Sequence, residues 1–588
     1  MATAIAPTDR DLASVQEART LAQRAKRAAP ALAEFTQEQI DRIVGAMAAA
    51  TRPRAEEFAR LAVEETGFGV VADKIQKNLF ASERVYEFIR PMRTVGVVRR
   101  DEERKVVEIA EPFGVVAAIV PSTNPTSTAI YKILISLKAR CPIVISPHPS
   151  AARCITRVAE VMAEAARGAG APDGSINWMQ TVTLEGTQEL MKHRDVAVIL
   201  ATGGMGLVRA AYSAGKPAYG VGPGNAPCFI DRTADVAKAA SDVMTGKMFD
   251  NGVLCSSPNS VVVDAAVADE VKREFKKQGA YFLSPAEADK LAAALVTAQR
   301  LPNPKFVGKS AAFIAEQVGI AAPAGTGALI AELTGVGRDF PLSIEKLCPV
   351  LSYYVVADWR EGCERCIQIL RYGGMGHTMS IHSQNDAVIL EFGLKKPAFR
   401  IVVNTPTTHG SIGLSTGLDP AMTLGCGGYG GNITSDNITP RHLLNIKRLA
   451  YELRPVARQT QPSATARTTM PSAPAPLPAL PRVAKPIAPT GVDAVSMSTQ
   501  IDSFLAARGI APKNIPPKPA TTTAENTSNT VTTTAPPTPV AFVCEDDVKD
   551  AIAQGTTILI GERTIVTPSA RDLGEARKTF VIAGWPRV

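Results

Sequence analysis

The chain has 588 residues, more than one hydrophobic core usually organises, so we expect more than one domain. Hydrophobic residues make up 45% and charged residues 20%, as in globular proteins, and the net charge of +8 is carried without a dense block of lysine and arginine. Because only 5% of the residues are aromatic and no apolar run is long enough to span a bilayer, we predict neither nucleic acid nor a membrane as a partner.

The amino terminus and the cysteines indicate a reducing compartment. Residues 1–10 lack the charged stretch and apolar run of a signal peptide, so we predict a cytoplasmic protein. The nine cysteines are scattered and odd in number, which is typical of free thiols. Cys363 and Cys366 form a lone CxxC motif in a predicted helix, and we interpret them as two half-buried thiols. We predict no metal site.

Two amphipathic helices open the predicted fold. Apolar residues between Leu12 and Ala25 recur on one helical face, and Thr36 and Gln39 form a capping box before a second helix. Helix-like segments then alternate with short apolar runs of the kind that form strands buried on both faces of a parallel sheet. These runs are residues 115–120, 142–146, 196–200 and 261–263. The alternation predicts an α/β fold.

The composition changes sharply near Pro455. Residues 456–540 are dominated by proline, threonine, alanine and serine, which bury too little apolar surface to offset the chain entropy, so we predict a linker. Within it, residues 497–509 predict a short amphipathic helix that ends at Gly509. Its apolar face carries Met497, Ile501, Phe504 and Leu505.

Residues 541–588 are predicted to form a small α/β unit. A helix over residues 547–553 is followed by two apolar runs that flank Gly561 and Glu562. This pattern favours a hairpin with its turn at those two residues.

Cys255 is the first candidate for chemistry. It follows an Asn-Gly turn, and a thiolate is a better nucleophile near neutral pH than a serine or threonine hydroxyl. An inert core thiol remains open as the alternative. His377 lies in a glycine-rich segment, which favours an exposed, mobile side chain suited to general-base catalysis.

Two further elements stand where predicted strands end. Gly203, Gly204 and Gly206 lie between a strand and a helix, where backbone N–H groups can approach a phosphate. A simple tight turn explains them as well, because their spacing is not the full dinucleotide fingerprint. Asn124 follows the run at 115–120, at the edge where ligands bind to parallel sheets, and its amide could donate to an oxyanion.

In this order the segments resemble the CoA-acylating branch of the aldehyde dehydrogenase family, as in the amino-terminal half of bifunctional alcohol/acetaldehyde dehydrogenases. The resemblance covers roughly residues 10–455. It is carried by residues 121–130, 145–149, 200–204, 215–222 and 249–252. The fold it implies is aldehyde dehydrogenase-like, with a Rossmann-type nucleotide-binding domain over residues 1–245, completed by 430–455, and a catalytic domain over 246–429.

The resemblance also implies a role for each candidate residue. Cys255 is the nucleophile, Asn124 and the Cys255 backbone N–H form the oxyanion hole, and His377 deprotonates CoA. The implied cofactor-binding residues are Thr123, His148, Gly203, Gly204, Gly206, Gly222 and Glu345, the last holding the nicotinamide ribose. The cofactor is NAD or NADP, with the preference open because His148 replaces a lysine of hydrolytic relatives, and CoA is the co-substrate of a homo-oligomer.

Val221 departs from the hydrolytic members of the family. Their Glu-Leu-Gly-Gly-Lys motif supplies a glutamate that activates water, whereas residues 221–225 read Val-Gly-Pro-Gly-Asn. Without this base the acyl-cysteine should react slowly with water, so we predict transfer of a short acyl group, from acetaldehyde or propionaldehyde, to CoA. A hydrolytic enzyme that releases the free acid and an inactive scaffold protein are the alternatives.

The carboxyl-terminal extension resembles cargo tags of bacterial microcompartments. Residues 497–509 match a short amphipathic helix on a proline-rich tether, and 565–572 are similar to segments of other microcompartment-associated enzymes. A helix of this kind can dock into a groove through anchors at i, i+3 and i+4. We therefore predict shell proteins as partners and the microcompartment lumen as the location, with a linker helix that has no partner as the alternative.

Overall fold

The computed structural model describes residues 9–455 and 540–582. The chain divides into two compact units, Met1–Gln461 and Pro462–Val588. The predicted linker, up to residue 539, and the predicted amphipathic helix at 497–509 lie outside the described residues.

The larger unit opens with a group of helices. They are α1 (Arg10–Ala33), α2 (Gln37–Thr51), α3 (Ala55–Thr66), α4 (Val71–Leu79) and α5 (Val85–Ile89). The predicted capping box of Thr36 and Gln39 is present at the start of α2. Between α4 and α5 the helix widens into a single π-type turn, Phe80–Arg84, a feature often found near functional sites.

Five parallel strands form the first large sheet. They are β3 (Val115–Val120), β4 (Ile143–Pro147), β5 (Ile176–Trp178), β6 (Val196–Thr202) and β7 (Ala218–Val221), in the order β5-β4-β3-β6-β7. Its helices are α6 (Pro125–Lys138), α7 (Ala152–Gly168), α8 (Leu184–Lys192) and α9 (Met205–Tyr212). At the carboxyl edge, Val120 is opposite Pro147 and Ile119 is opposite Ala201, so the loops that follow these strands lie side by side. The predicted strands and the parallel arrangement are confirmed.

Seven parallel strands form the second large sheet, in the order β10-β11-β12-β9-β8-β13-β14. They are β8 (Ala226–Ile230), β9 (Pro258–Asp264), β10 (Ala280–Phe282), β11 (Ala328–Glu332), β12 (Val350–Val356), β13 (Gly376–His382) and β14 (Ala398–Val403). Its helices are α10 (Val236–Met248), α11 (Ala268–Lys277), α12 (Pro285–Leu295), α13 (Ala311–Val318), α14 (Trp359–Gly373), α15 (Asp386–Lys395) and α16 (Thr407–Ser411).

The chain leaves the first sheet and enters the second between β7 and β8, at residues 222–225. β8 and most of α10 precede the predicted domain boundary at 245/246, and both belong with the second sheet, where β8 lies in the middle and α10 packs against β8. Both sheets are built from the same kind of apolar strand, so the pattern of the sequence does not reveal where one sheet gives way to the other.

A third, antiparallel sheet contains strands from both ends of the larger unit. It consists of β1 (Gly96–Asp101), β2 (Val106–Pro112) and β15 (Leu444–Ala450), in the order β1-β2-β15. Just before β15, Ile438 and Leu443 are buried in the core that also holds β3 and β4. The segment just before β15 therefore packs against the first sheet, and β15 itself pairs with β2. Both lie within residues 430–455.

The smaller unit is a β-α-β-α-β arrangement with a parallel sheet. Its elements are β16 (Val540–Val543), α17 (Glu545–Ala553), β17 (Ile558–Val566), α18 (Pro568–Ala576) and β18 (Phe580–Ile582). The predicted hairpin is wrong, because the two apolar runs belong to one strand, β17. Where a turn was predicted, the register with β16 shifts, and the N–H of Gly561 donates to Thr564 Oγ1 at 2.8 Å. Gly561 therefore lies at an irregularity within a strand instead of in a turn, and glycine is common at both.

The described helices and cysteines bear on two earlier predictions. No helix within residues 9–455 and 540–582 is both long and apolar enough to cross a bilayer. All nine cysteines are free, and Cys363 and Cys366 are buried on α14, more deeply than the pattern predicted.

Candidate active site

A cavity of about 450 Å³ lies between the carboxyl edge of the first sheet and the segment that carries Cys255. Loops after β3, β4, β6 and β7 form one side, and the segments around Cys255 and Glu345 form the other. The predicted site residues in its lining are Thr123, Asn124, His148, Gly203, Gly204, Gly222, Cys255 and Glu345. The structure thus brings together segments more than 200 residues apart in sequence.

The glycine-rich turn forms the start of a helix at this cavity. Gly204 is the N-cap of α9, and none of the described side chains caps that end, so the first backbone N–H groups keep their hydrogen-bonding capacity. Gly206 is the second residue of α9 and lies outside the cavity lining. At Gly222 a Cβ atom would come within 2.8 Å of Met205 Sδ, so a larger residue here would displace the Met205 side chain. A helix start of this kind favours a phosphate.

Cys255 lies just after an unusual backbone segment. The turn Phe249–Gly252 places Asp250 and Asn251 in the left-handed region, with φ of 49° and 53°. The Cys255 side chain is partly accessible from the cavity and otherwise surrounded by protein. Burial, together with the negative charge of Glu345, raises the pKa of its thiol to about 12. The side chain is therefore a thiol at neutral pH until its surroundings change.

Glu345 faces the same cavity from the loop before β12. Its Oε1 accepts a hydrogen bond from the N–H of Gly224 at 2.8 Å. Burial raises the pKa of Glu345 to about 7, against the hydrogen bonds from the Gly224 and Asn225 amides. The carboxyl group is thus divided between its two protonation states near neutral pH, and only its charged form opposes ionisation of the Cys255 thiol.

Asn124 occupies the N-cap of α6, where β3 ends. Its Nδ2 donates to Thr123 Oγ1 at 3.2 Å, and its Oδ1 accepts from Lys77 Nζ at 2.6 Å. The residue is 9% exposed and contributes to the cavity wall. An amide at this place can direct an N–H group into the cavity, as an oxyanion hole requires.

His377 differs from its prediction. It lies in β13, fully buried, instead of in an exposed mobile loop, and it does not line the cavity. A Cβ atom at Gly224 would be 3.2 Å from His377 Nδ1 and 1.8 Å from the carbonyl oxygen of Cys255, so the three residues are neighbours. Burial and the charge of Arg400 lower the pKa of His377 to about 3, which keeps the imidazole neutral. The glycines near it serve close backbone approach, which the sequence pattern does not distinguish from mobility.

Val221 ends β7 and is 2% exposed in the cavity wall that Cys255 also lines. The same wall includes Leu184, Leu207, Val253 and Leu347. The position that would hold a water-activating carboxylate therefore presents a hydrocarbon side chain to the cavity.

A buried group of charges next to Asn124 was not predicted. Lys74 and Lys77 of α4 both contact Asp250 Oδ2, and all three side chains are at most 2% exposed. The backbone N–H of Asp250 donates to Asp73 Oδ2 at 2.7 Å. The sequence shows the Asp-Asn-Gly turn before Cys255, which contains Asp250. It does not show that lysines more than 170 residues earlier contact this aspartate.

Known proteins resemble this chain in sequence and in structure. The sequence profile of the aldehyde dehydrogenase family matches residues 6–301. The bifunctional aldehyde-alcohol dehydrogenase AdhE of Escherichia coli is 43% identical over 442 residues, which are 74% of this chain and 50% of AdhE. The chain thus spans about half the length of this curated relative.

Two solved structures are similar over most of their length. An acetylating aldehyde dehydrogenase from Geobacillus thermoglucosidasius is 50% identical with a TM-score of 0.75, and the match covers 77% of this chain and 100% of that one. A propionaldehyde dehydrogenase from the fucose utilisation bacterial microcompartment of Clostridium phytofermentans is 28% identical with a TM-score of 0.67, covering 74% and 97%.

Proposed function

The chain belongs to the aldehyde dehydrogenase family, and we propose that it oxidises a short-chain aldehyde to acyl-CoA with a nicotinamide cofactor. The observation that carries this proposal is that Cys255 and Val221 line one cavity, so the nucleophile is present and valine stands at the position of the water-activating glutamate of hydrolytic members. The acetylating relative from Geobacillus thermoglucosidasius supports acyl transfer to CoA, and acetaldehyde and propionaldehyde are the substrates we propose.

The cavity residues fit a nicotinamide dinucleotide. The uncapped start of α9 with Gly203 and Gly204 suits a pyrophosphate, and Glu345 offers a carboxylate for ribose hydroxyls. When bound, the cofactor supplies a hydride acceptor. His148 lines the same cavity and is the residue through which we expect a choice between NAD and NADP to be made.

In the proposed first half-reaction, Cys255 adds to the aldehyde carbonyl carbon. The Nδ2 group of Asn124 and the backbone N–H of Cys255 stabilise the oxyanion that forms. Loss of the aldehyde hydrogen as hydride leaves an acyl-cysteine. Because the pKa of the thiol is raised to about 12, substrate or cofactor must first lower the cost of forming the thiolate. A hydrogen bond donated by a ribose hydroxyl to the Glu345 carboxylate would draw the charge of Glu345 away from the sulfur.

In the second half-reaction the acyl group passes to CoA. Val221 offers no base to a water molecule, so the acyl-cysteine persists until a thiol enters. We propose His377 as the base that takes the proton of the CoA thiol, supported by its place beside the Cys255 backbone. Burial lowers the pKa of His377 to about 3, so this role requires that entry of CoA raise the pKa toward neutrality. Since His377 lies outside the cavity lining, this role requires CoA to approach from the Gly224 side, or His377 to move.

The decisive experiment measures NADH formation with and without CoA. We expect purified enzyme with acetaldehyde and NAD to release at most one equivalent of NADH per Cys255 in the absence of CoA. Addition of CoA should then start steady turnover, with one thioester formed per NADH. Steady turnover without CoA, accompanied by free acid, would establish the hydrolytic reaction instead. No NADH under either condition would favour the scaffold interpretation.

We further propose that the enzyme is encapsulated in a bacterial microcompartment as a homo-oligomer. The support for encapsulation is the resemblance of residues 497–509 to cargo tags, together with the microcompartment origin of the similar propionaldehyde dehydrogenase. Support for self-association comes from Leu449, Tyr451 and Leu453, exposed apolar residues in and just after the edge strand β15.

A further inference from the structure

Lys77 holds the side chain of Asn124 in one orientation. An amide side chain can be turned by 180°, which exchanges its acceptor oxygen and its donor nitrogen. The nitrogen of Lys77 lies within 2.6 Å of Asn124 and also contacts Asp250 Oδ2. A lysine nitrogen donates to both neighbours, so the atom of Asn124 that faces it must be Oδ1. The Nδ2 group is then turned the other way, toward Thr123 Oγ1 and the cavity.

Because Asn124 Oδ1 accepts from Lys77, Asn124 does not cap α6 with its side chain. An asparagine at a helix N-cap normally accepts a hydrogen bond from a backbone N–H of the first turn through its side-chain oxygen. Asn124 is the N-cap of α6 and, among the described residues, makes no such bond. Its oxygen is occupied by Lys77 instead. The capping stabilisation is given up at a residue whose nitrogen faces the cavity.

Asp250 connects this arrangement to the nucleophile. Its Oδ2 contacts Lys77 and Lys74, and its Oδ1 accepts from the backbone N–H of Val70 at 2.7 Å. It stands five positions before Cys255 in a left-handed conformation, which is unfavourable for most residues with a Cβ atom. Asp250 is thus held by α4, and α4 in turn holds Asn124. The loop that leads to Cys255 and the Asn124 amide are therefore both positioned by contacts with α4.

We propose that Lys77 is a positioning residue for catalysis, which fixes the Asn124 amide with its N–H toward the oxyanion and, through Asp250, sets its distance from Cys255. Burial lowers the pKa of Lys77 to about 7, against the attraction of Asp250. In its charged form Lys77 places a positive charge beside the amide oxygen, which strengthens Nδ2 as a donor. This inference rests on the proposed function, because the oxyanion belongs to the addition of Cys255 to an aldehyde.

A double-mutant cycle separates positioning from general stability. The single variants are Lys77→Met and Asn124→Ala, and the quantity measured is the rate constant of the first NADH burst with acetaldehyde. One oxyanion donor is worth roughly 10²–10³ in rate, so we expect Lys77→Met to slow the burst about 100-fold in the natural background. In the Asn124→Ala background the same substitution should change it less than about threefold, since the amide is already absent.

Lys74→Met is the matched control. It removes a second buried lysine from the same carboxylate, Asp250, but Lys74 donates to the carbonyl oxygen of Thr123 and not to Asn124. We expect its effect to be equal in the two backgrounds. The rate of Cys255 alkylation by iodoacetamide in apo enzyme should change less than about threefold in Lys77→Met, because no oxyanion forms in that reaction.

The outcomes are distinguishable. Equal slowing by Lys77→Met in both backgrounds, or no slowing at all, would overturn the positioning role. If Lys77→Met is insoluble, Lys77→Arg replaces it in the cycle. Arginine keeps a hydrogen-bond donor, so the rate constant of the burst should stay within about tenfold of that of the natural enzyme. A natural enzyme that shows no NADH burst with any aldehyde would refute the proposed function, whereas an active enzyme with an additive cycle refutes Lys77 alone.

Discussion

The carboxylate of Glu345 and the thiol of Cys255 line the same cavity, and the charge of the first, after burial, raises the pKa of the second. Because the pKa of Glu345 is itself raised to about 7, this effect depends on pH. Below pH 7 the carboxyl group is mostly protonated and its opposition to thiolate formation is weakened. Above pH 7 it is charged, and the thiol is harder to ionise than burial alone would make it.

Replacing Glu345 by glutamine should therefore activate the free thiol. Glu345→Gln removes the negative charge and keeps the shape of the side chain, so the pKa of Cys255 falls. We expect alkylation by iodoacetamide at pH 8 to become about two- to tenfold faster, since each unit of pKa changes the thiolate fraction about tenfold. The alkylation rate is measured from pH 6 to 10 in both enzymes. An unchanged or slower rate in the variant would show that the Glu345 charge does not act on the sulfur.

Cys255→Ala should abolish turnover. Without the sulfur no covalent adduct forms, and both the NADH burst and thioester formation are lost. The matched control is Cys366→Ala, a buried cysteine on α14 outside the cavity lining, which should retain its rate if folded. Substantial turnover by the Cys255 variant would overturn the assignment of the nucleophile. Iodoacetamide labelling followed by peptide mapping identifies which thiol reacts.

Sequence patterns anticipated the main framework because strand burial and helix capping are local signals. The runs at 115–120 and 196–200 became adjacent parallel strands, and the residues that follow them meet at one cavity. The patterns failed where a feature depends on distant partners. His377 was expected to be exposed because glycines surround it, yet Gly374 and Gly376 allow the backbones of Gly224 and Cys426 to approach closely. The sequence did not indicate a role for Lys77, because that role depends on its contacts with Asn124 and Asp250 in the folded chain.

Val221→Glu should convert part of the activity to hydrolysis. The new carboxylate would face the cavity beside Cys255 and could activate water, so free acid should form without CoA. Val221→Gln is the control, since it has the same size and no base. Burial would raise the pKa of the introduced carboxyl and can destabilise the fold, so thermal unfolding is measured in parallel. Equal acid formation by the natural enzyme and the glutamate variant, both folded, would refute the argument from Val221.

His377→Ala should separate the two half-reactions. If His377 deprotonates CoA, the NADH burst without CoA keeps its rate, while steady thioester formation falls by about 10²-fold or more. Rapid mixing resolves the burst, and thiol consumption reports the second step. His382→Ala is the matched control, because His382 is also buried on β13 and its pKa is lowered to about 4 by burial, but it lies at the far end of the strand. An equal loss of burst and turnover would assign His377 to the structure of the site.

Removing residues 456–588 should leave the soluble activity nearly intact and prevent co-assembly with shell proteins. All the candidate catalytic residues precede residue 456, so the deletion does not remove them. The predicted helix at 497–509 is too short to be stable alone in water, and a groove on a partner would bury its apolar face. Replacing Ile501, Phe504 and Leu505 with serine should therefore have the same effect as the truncation in a co-purification assay with shell proteins. Loss of activity on truncation would make the tail part of the enzyme. Co-purification of the triple variant would assign the interaction to residues 541–588.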